Sequence, residues 1–178
     1  RDMPDNTYYS SLQSPTNPNV FFAAEYYSKD RGYTWNKMDG CVSVFTFNYL
    51  NDKELYGGDE DGNLVVSYDN GDTWQKLSNI QWRSSSNILE SQVIVDIAYY
   101  HVNNYAYLVV ETVLLDKNNN TKKYTNDDVF KYDVTNQVST MLTMPQDSTR
   151  RRSIAVDPNS TSVVYVGGNG NYFSSPTS

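Results

Sequence analysis

The 178-residue chain carries 14 Lys and Arg against 21 Asp and Glu, a formal charge of −7. That balance argues against a basic face for nucleic acid or anionic membrane. The single cysteine, Cys41, excludes an intrachain disulfide and any multi-cysteine zinc site. No apolar run approaches the roughly 20 residues that a membrane-spanning helix needs, and no signal peptide is legible. The chain opens on Arg1, as a processed or truncated N-terminus would, and this leaves export open.

Sixteen tyrosines, many asparagines and few helix formers predict an all-β chain with polar turns. No segment has a 3.6-residue period. The first strand signals lie within residues 7–38, with the phrase Asn17-Pro18-Asn19-Val20-Phe21-Phe22-Ala23-Ala24. Only nine residues separate Asn19 from Ser28, against thirteen between Glu54 and Ser67. A strand pair hardly fits that interval, so either the turn is minimal or residues are missing between 24 and 28.

Ser28-Lys29-Asp30-Arg31-Gly32-Tyr33-Thr34-Trp35 follows. It returns as Ser67-Tyr68-Asp69-Asn70-Gly71-Asp72-Thr73-Trp74, 39 residues further on. Both read S-x-D-x-G-x-T-W, and internal repeats of this period are the signature of stacked supersecondary units. The residue types suit a tight turn between antiparallel strands. The Asp carboxylate accepts from backbone N–H groups and from the Ser and Thr hydroxyls. Gly32 and Gly71 allow positive φ, and Trp35 and Trp74 cap the turn with a large ring. Between the two copies, strands are predicted near Val42–Asn48, Glu54–Gly58, Asn63–Tyr68 and Thr73–Leu77. Turns are predicted at Leu50–Lys53 and Asp59–Gly62.

This motif resembles the Asp-box, or bacterial neuraminidase repeat, of β-propellers such as sialidases, xyloglucanases and sortilin-type receptors. A second repeat agrees with it. Ser153-Ile154-Ala155-Val156-Asp157-Pro158-Asn159 and Val163-Val164-Tyr165-Val166-Gly167-Gly168 match Ser43–Asn48 and Leu55-Tyr56-Gly57-Gly58. The resemblance implies blades of four antiparallel strands, A to D from the axis outward. They fall at about 7–38, 41–78, 92–145 and 152–178. The first and last are partial, so the chain is expected to be an incomplete propeller, its other blades coming from further polypeptide or from partner subunits.

The third blade is degenerate. Its strands are predicted at Val93–Tyr99, Tyr105–Leu114, Asp128–Tyr132 and Val138–Leu142. Lys131-Tyr132-Asp133 takes the place of Ser67-Tyr68-Asp69 without the glycine or tryptophan, which predicts a looser turn. Asp116–Asp127 reads as a solvated insertion, and Arg150, Arg151 and Arg152 as a solvated basic loop. The fourth blade starts at Ser153 and stops during its third strand, where Ser174–Ser178 departs from the motif.

In a propeller the A–B and C–D turns share one face, and the B–C and D–A loops share the other. The repeats mark the first face; in the family the Asp-box itself is structural and substrate binds on the second. That second face receives Asp59-Glu60-Asp61, residues 78–91 with Trp82 and Arg83, the Asp116–Asp127 insertion and the three arginines. Trp82 and Arg83 are candidate glycan contacts, because an indole stacks on a sugar ring and a guanidinium binds hydroxyls or a carboxylate.

Glycoside hydrolysis needs two carboxylates across the scissile bond. Asp59, Glu60, Asp61, Glu90, Asp96 and Glu111 are the candidates, with Asp96 and Glu111 foremost because they interrupt apolar strands. A sialidase would further need an arginine triad and a tyrosine–glutamate pair, and these do not assemble from the sequence. Asp59–Asn63 lacks the spacing of a calcium loop, and His101 has no His or Cys partner, so no metal or cofactor is expected. Two functions stay open. One is a secreted or cell-surface glycan-binding or glycoside-hydrolase-like propeller. The other is a non-catalytic propeller for protein binding or assembly, as in receptors, assembly factors or virion appendages.

Overall fold

A computed structural model describes residues 11–23, 25–38, 42, 44–77, 90–116, 121–145, 150–160, 162–168 and 172–176. All of its regular structure is β, arranged in four antiparallel meanders. The first contains β1 (Ser11–Gln13), β2 (Phe21–Ala23), β3 (Tyr26–Ser28) and β4 (Asn36–Lys37). β5 (Val44–Asn48), β6 (Asn51–Gly58), β7 (Leu64–Ser67) and β8 (Gln75–Lys76) make the second. The third consists of β9 (Glu90–Tyr100), β10 (Tyr105–Asp116), β11 (Thr121–Asp133) and β12 (Val138–Leu142). β13 (Arg151–Val156), β14 (Val163–Gly168) and β15 (Tyr172–Pro176) form a three-stranded fourth sheet. This is the architecture of successive propeller blades.

The sheets stack face to face because the inner ones are apolar on both sides. Along β10, Ala106, Leu108 and Val110 join a cluster with Val44, Tyr56, Leu64 and Val66 of the second sheet. The intervening Tyr107 and Val109 join Ile154, Val164 and Val166 of the fourth. Period-two alternation thus sends alternate side chains into two different cores. The first sheet meets the second through Phe22, whose ring lies 5.3 Å from that of Phe45 and 5.5 Å from that of Phe47. Each fully buried side chain of this kind stabilises by roughly 1.5–3 kcal/mol.

Three expectations are corrected. β2 and β3 do form a hairpin, with Phe21 opposite Ser28 and Ala23 opposite Tyr26, so the turn is minimal. The Asp116–Asp127 insertion is mostly ladder: Glu111 to Asp116 pair with Asp127 to Thr121, and only residues 117–120 connect the strands. Its Lys, Asn and Thr content reads as solvated loop, but neither strand needs a buried face to extend an existing register. The arginine triplet is no free loop either, since Arg151 opens β13 and is itself buried.

The glycines at strand ends and turns let backbones approach. A Cβ on Gly58 would stand 2.7 Å from Ile94 of the next sheet, and one on Gly168 2.2 Å from the Arg150 carbonyl. Gly62 combines φ +79° with a Cβ position 1.9 Å from the Gln92 carbonyl oxygen. Replacing it with alanine demands both backbone strain and displacement of β9. The Gly62→Ala chain is expected to lose about 2 kcal/mol or more, read as a lower midpoint in urea at unchanged m-value. An unaltered midpoint would contradict the close approach.

Candidate functional site

The two faces of the sheet stack have different chemistry. On the turn face, the two S-x-D-x-G-x-T-W segments fold identically. Ser28 Oγ donates to Asp30 Oδ1 (2.8 Å) and accepts from Gly32 N (2.8 Å). Asp30 in turn accepts from Thr34 N (2.8 Å) and Thr34 Oγ1 (2.6 Å). Ser67, Asp69, Gly71 and Thr73 repeat the same bonds at the same distances.

The residue before each glycine is also left-handed, with φ 63° at Arg31 and 61° at Asn70. These N–H groups donate to Asn19 O (3.0 Å) and Lys53 O (3.1 Å), fastening each turn to the neighbouring hairpin. Arg31 gave no sign of that role, whereas Asn70 is of a residue type that tolerates the left-handed conformation. In the third sheet Asp133 keeps its place as a fastener, accepting from Asn136 N (2.9 Å) and Asn136 Nδ2 (2.8 Å).

Between the second and third sheets the same face carries a network that the sequence did not reveal. Tyr56 and Tyr99 stack at 4.4 Å. The Tyr56 hydroxyl donates to Glu54 Oε1, and the Tyr99 hydroxyl donates to Asn104 Oδ1 (2.6 Å). Burial, then the Glu54 hydrogen bond, pushes the Tyr56 phenol far above its ordinary value. The hydroxyl is thus held as a buried hydrogen-bond donor.

The loop face holds the charged candidates. Asp59 is buried and closes its own turn: Oδ1 accepts from Asp61 N (3.0 Å) and Asn63 N (2.8 Å), and Asn63 Nδ2 bonds both oxygens. Asp96 lies where the register of β9 against β10 shifts, with Val109 opposite Asp96 and Val110 opposite Ile94. This bulge re-aims the side chain. Its carboxylate accepts from Ile97 N (2.9 Å) and from Ile154 N (2.7 Å) of the fourth sheet.

Glu111 is 4% exposed and is held by two guanidiniums. Arg152 reaches its two oxygens at 3.3 and 3.1 Å, and Arg150 bonds Oε1 as well. Those arginine side chains stay 37% and 39% exposed for Arg150 and Arg152. Directly across the strand pair from Glu111 is Asp127, whose Oδ2 accepts from Arg151 N (2.9 Å). Like charges opposite each other are unfavourable, and the arginines offset this.

Asp59, Asp96 and Glu111 are thus all engaged in internal bonds. The Glu90 side chain, and Trp82 and Arg83 entirely, lie outside the described residues. Among the described residues, no three His, Cys, Asp or Glu side chains group as metal ligands, and no helix is long and apolar enough to cross a membrane.

The fold and the two-faced arrangement define a β-propeller-type protein. Overlay on solved structures agrees. A GH74 xyloglucanase from Xanthomonas campestris matches 93% of this chain at 15% identity with a TM-score of 0.64. The GH74 enzyme of Niastella koreensis matches 86% at 16% identity and 0.61, and an ancestral GH74 enzyme 97% at 14% identity and 0.55. The chain spans 28%, 24% and 31% of those proteins, respectively. No family model and no curated protein matches it. The likeness is one of fold.

The carboxylates differ in how they answer pH. Hydrogen bonds from Thr34, then from Ser28, hold Asp30 below the usual carboxylate range. At Asp69 burial is the largest single influence and acts upward, but the Thr73 and Ser67 bonds together outweigh it and leave the group lowered. Their stabilisation is present above the ordinary Asp pKa and is lost as pH falls through the lowered value. Burial raises Asp96, against the opposing bonds from Ile154 and Ile97. Burial also raises Asp127, against the Arg151 amide and the Arg152 and Arg151 charges.

For a raised acid the sign reverses: stability declines as pH rises from the ordinary value to the raised one. Melting temperatures measured against pH are expected to fall on acidification less steeply in Asp69→Asn than in the parent. Asp96→Asn is expected to show less of a decline than the parent as pH rises above about 4, the Asp127 contribution remaining. Parallel profiles for all three proteins would contradict these assignments.

Proposed function

We propose that this chain is part of an Asp-box β-propeller that binds glycans on its loop face, outside the cell or at its surface. The observation that carries this reading is the junction of the third and fourth sheets. There Arg150 and Arg152 converge on the buried Glu111 and keep more than a third of their side chains in solvent. A guanidinium fixed by one carboxylate is pre-organised for the hydroxyls or acid groups of a second ligand, at little further entropy cost. The fold-level likeness to xyloglucanases supports a saccharide as that ligand. Trp82 and Arg83 remain candidate stacking and hydrogen-bonding partners on the same face.

Binding is favoured over hydrolysis within this chain. Asp59, Asp96 and Glu111 each serve internal bonds, whereas a hydrolase needs one carboxyl to move a proton and the other to face the anomeric carbon or a water. The same engagement supports a second reading, a propeller that contacts protein partners in an assembly.

Calorimetric titration with xyloglucan oligosaccharides and a panel of neutral and acidic glycans separates the two. Saccharide binding is expected, weakened about tenfold or more, or roughly 1.4 kcal/mol, in Arg152→Ala. No heat from any glycan would refute the reading and leave the protein-partner alternative.

A further inference from the structure

Charge at the junction of the third and fourth sheets is layered. Glu111 is buried, while the Arg150 and Arg152 side chains that hold it stay partly in solvent. Asp96 and Asp127 are half-buried and each accepts an amide of β13, from Ile154 and Arg151 respectively. Asp128 lies opposite Val110, whose side chain packs toward the second sheet, so it stands on the other face. A ligand arriving from solvent therefore meets two guanidiniums. Partial burial, then the neighbouring charge of Arg152, holds the Arg150 guanidinium below its ordinary value. A second anion against the pair relieves that repulsion.

Two features fix the pair in place. A bulge interrupts β13 against β14: Arg151 lies opposite Gly168 and Ser153 opposite Gly167, so Arg152 is the extra residue and is re-aimed by it. Arg151, between the two, is buried and pinned at both ends. Its amide donates to Asp127 Oδ2 (2.9 Å), and its guanidinium donates to the carbonyls of Asp127 (3.3 Å) and Pro145 (2.8 Å). The third sheet also builds a ledge here. β10 and β11 run on past the Glu111–Asp127 pair to Asp116 and Thr121, whereas β13 only begins at Arg151. At about 3.3 Å per residue, that overhang is a wall roughly 15 Å tall beside the guanidiniums.

We propose, resting on the glycan reading above, that the saccharide bound at this ledge is an acidic one, a uronic-acid unit. Its carboxylate lies against the exposed side of Arg150 and Arg152 while Glu111 holds their buried side. A hydroxyl takes single hydrogen bonds from a guanidinium, whereas a carboxylate takes paired, charge-assisted ones. Neutral sugars use only a fraction of what two fixed guanidiniums offer, and the acid uses most of it.

Titration of the full protein with oligomers of galacturonate, glucuronate and mannuronate, each beside its methyl ester, tests this. Esterification removes the charge and keeps the ring and the linkage. The comparison is made at physiological salt, where the chain's −7 charge is screened beyond about 8 Å. At least one acid is expected to bind about tenfold or more tighter than its ester, and Arg150→Gln or Arg152→Gln should narrow that gap to about twofold. Circular dichroism checks that the variants fold; if one does not, the acid-to-ester ratio of the parent decides alone. Esters or neutral oligosaccharides that bind as tightly as the acids would overturn the carboxylate assignment and leave the glycan reading standing. Folded variants that keep the parent's preference would overturn the role of the arginines. Silence from every saccharide, charged or neutral, would sink both readings.

Discussion

Every other feature of this structure depends on one constraint: an inner sheet must be covered on both faces. A β-strand sends successive side chains to opposite sides. The third sheet meets the constraint by giving Leu108 and Val110 to one neighbour and Tyr107 and Val109 to the other. Its strands therefore contain unbroken apolar runs, whereas β1, β4 and β8, each at an edge of its sheet, have mostly exposed residues. Stacking at such close range leaves no room for Cβ atoms at particular crossings, and Gly58, Gly62 and Gly71 occupy those places.

The corners and the seams are held by different chemistry. Corners are local: Ser67 and Asp69 find Gly71 and Thr73 within four residues, and the carboxylate replaces backbone partners that the turn removes. Seams between sheets are held by apolar interlocking, supplemented between the third and fourth by buried carboxylates. Asp96 and Asp127 each accept an amide of β13, and Glu111 takes its two guanidiniums. A buried acid with hydrogen bonds to the opposing strand acts at a seam as Asp30 and Asp69 act at a corner, but its desolvation pulls its titration the other way.

This division explains what was legible in the sequence. The turns could be read from residues alone, because Ser, Asp, Gly and Thr act on neighbours a few positions away. The alternating strands could be read for the same reason. The partners of Glu111 could not, since Arg152 lies 41 residues further along the chain and only the stacking of sheets brings it near. Nor could the bulge at Asp96, which is a property of register and not of residue type. The ladder from Thr121 to Asp127 was mistaken for a loop because its polar composition matches both, and pairing with β10 decides between them.

The bond from Ile154 to Asp96 joins positions 58 residues apart, while each repeat corner closes on itself within a single bend. Order of assembly follows from that difference, since the chain entropy of bringing distant segments together is lost before their contact is gained. Each meander can shape its own bends in isolation. The seam joining the last two must wait until both are built. A ligand bridging that seam near the arginines would act as a clasp on segments the chain itself joins only at long range.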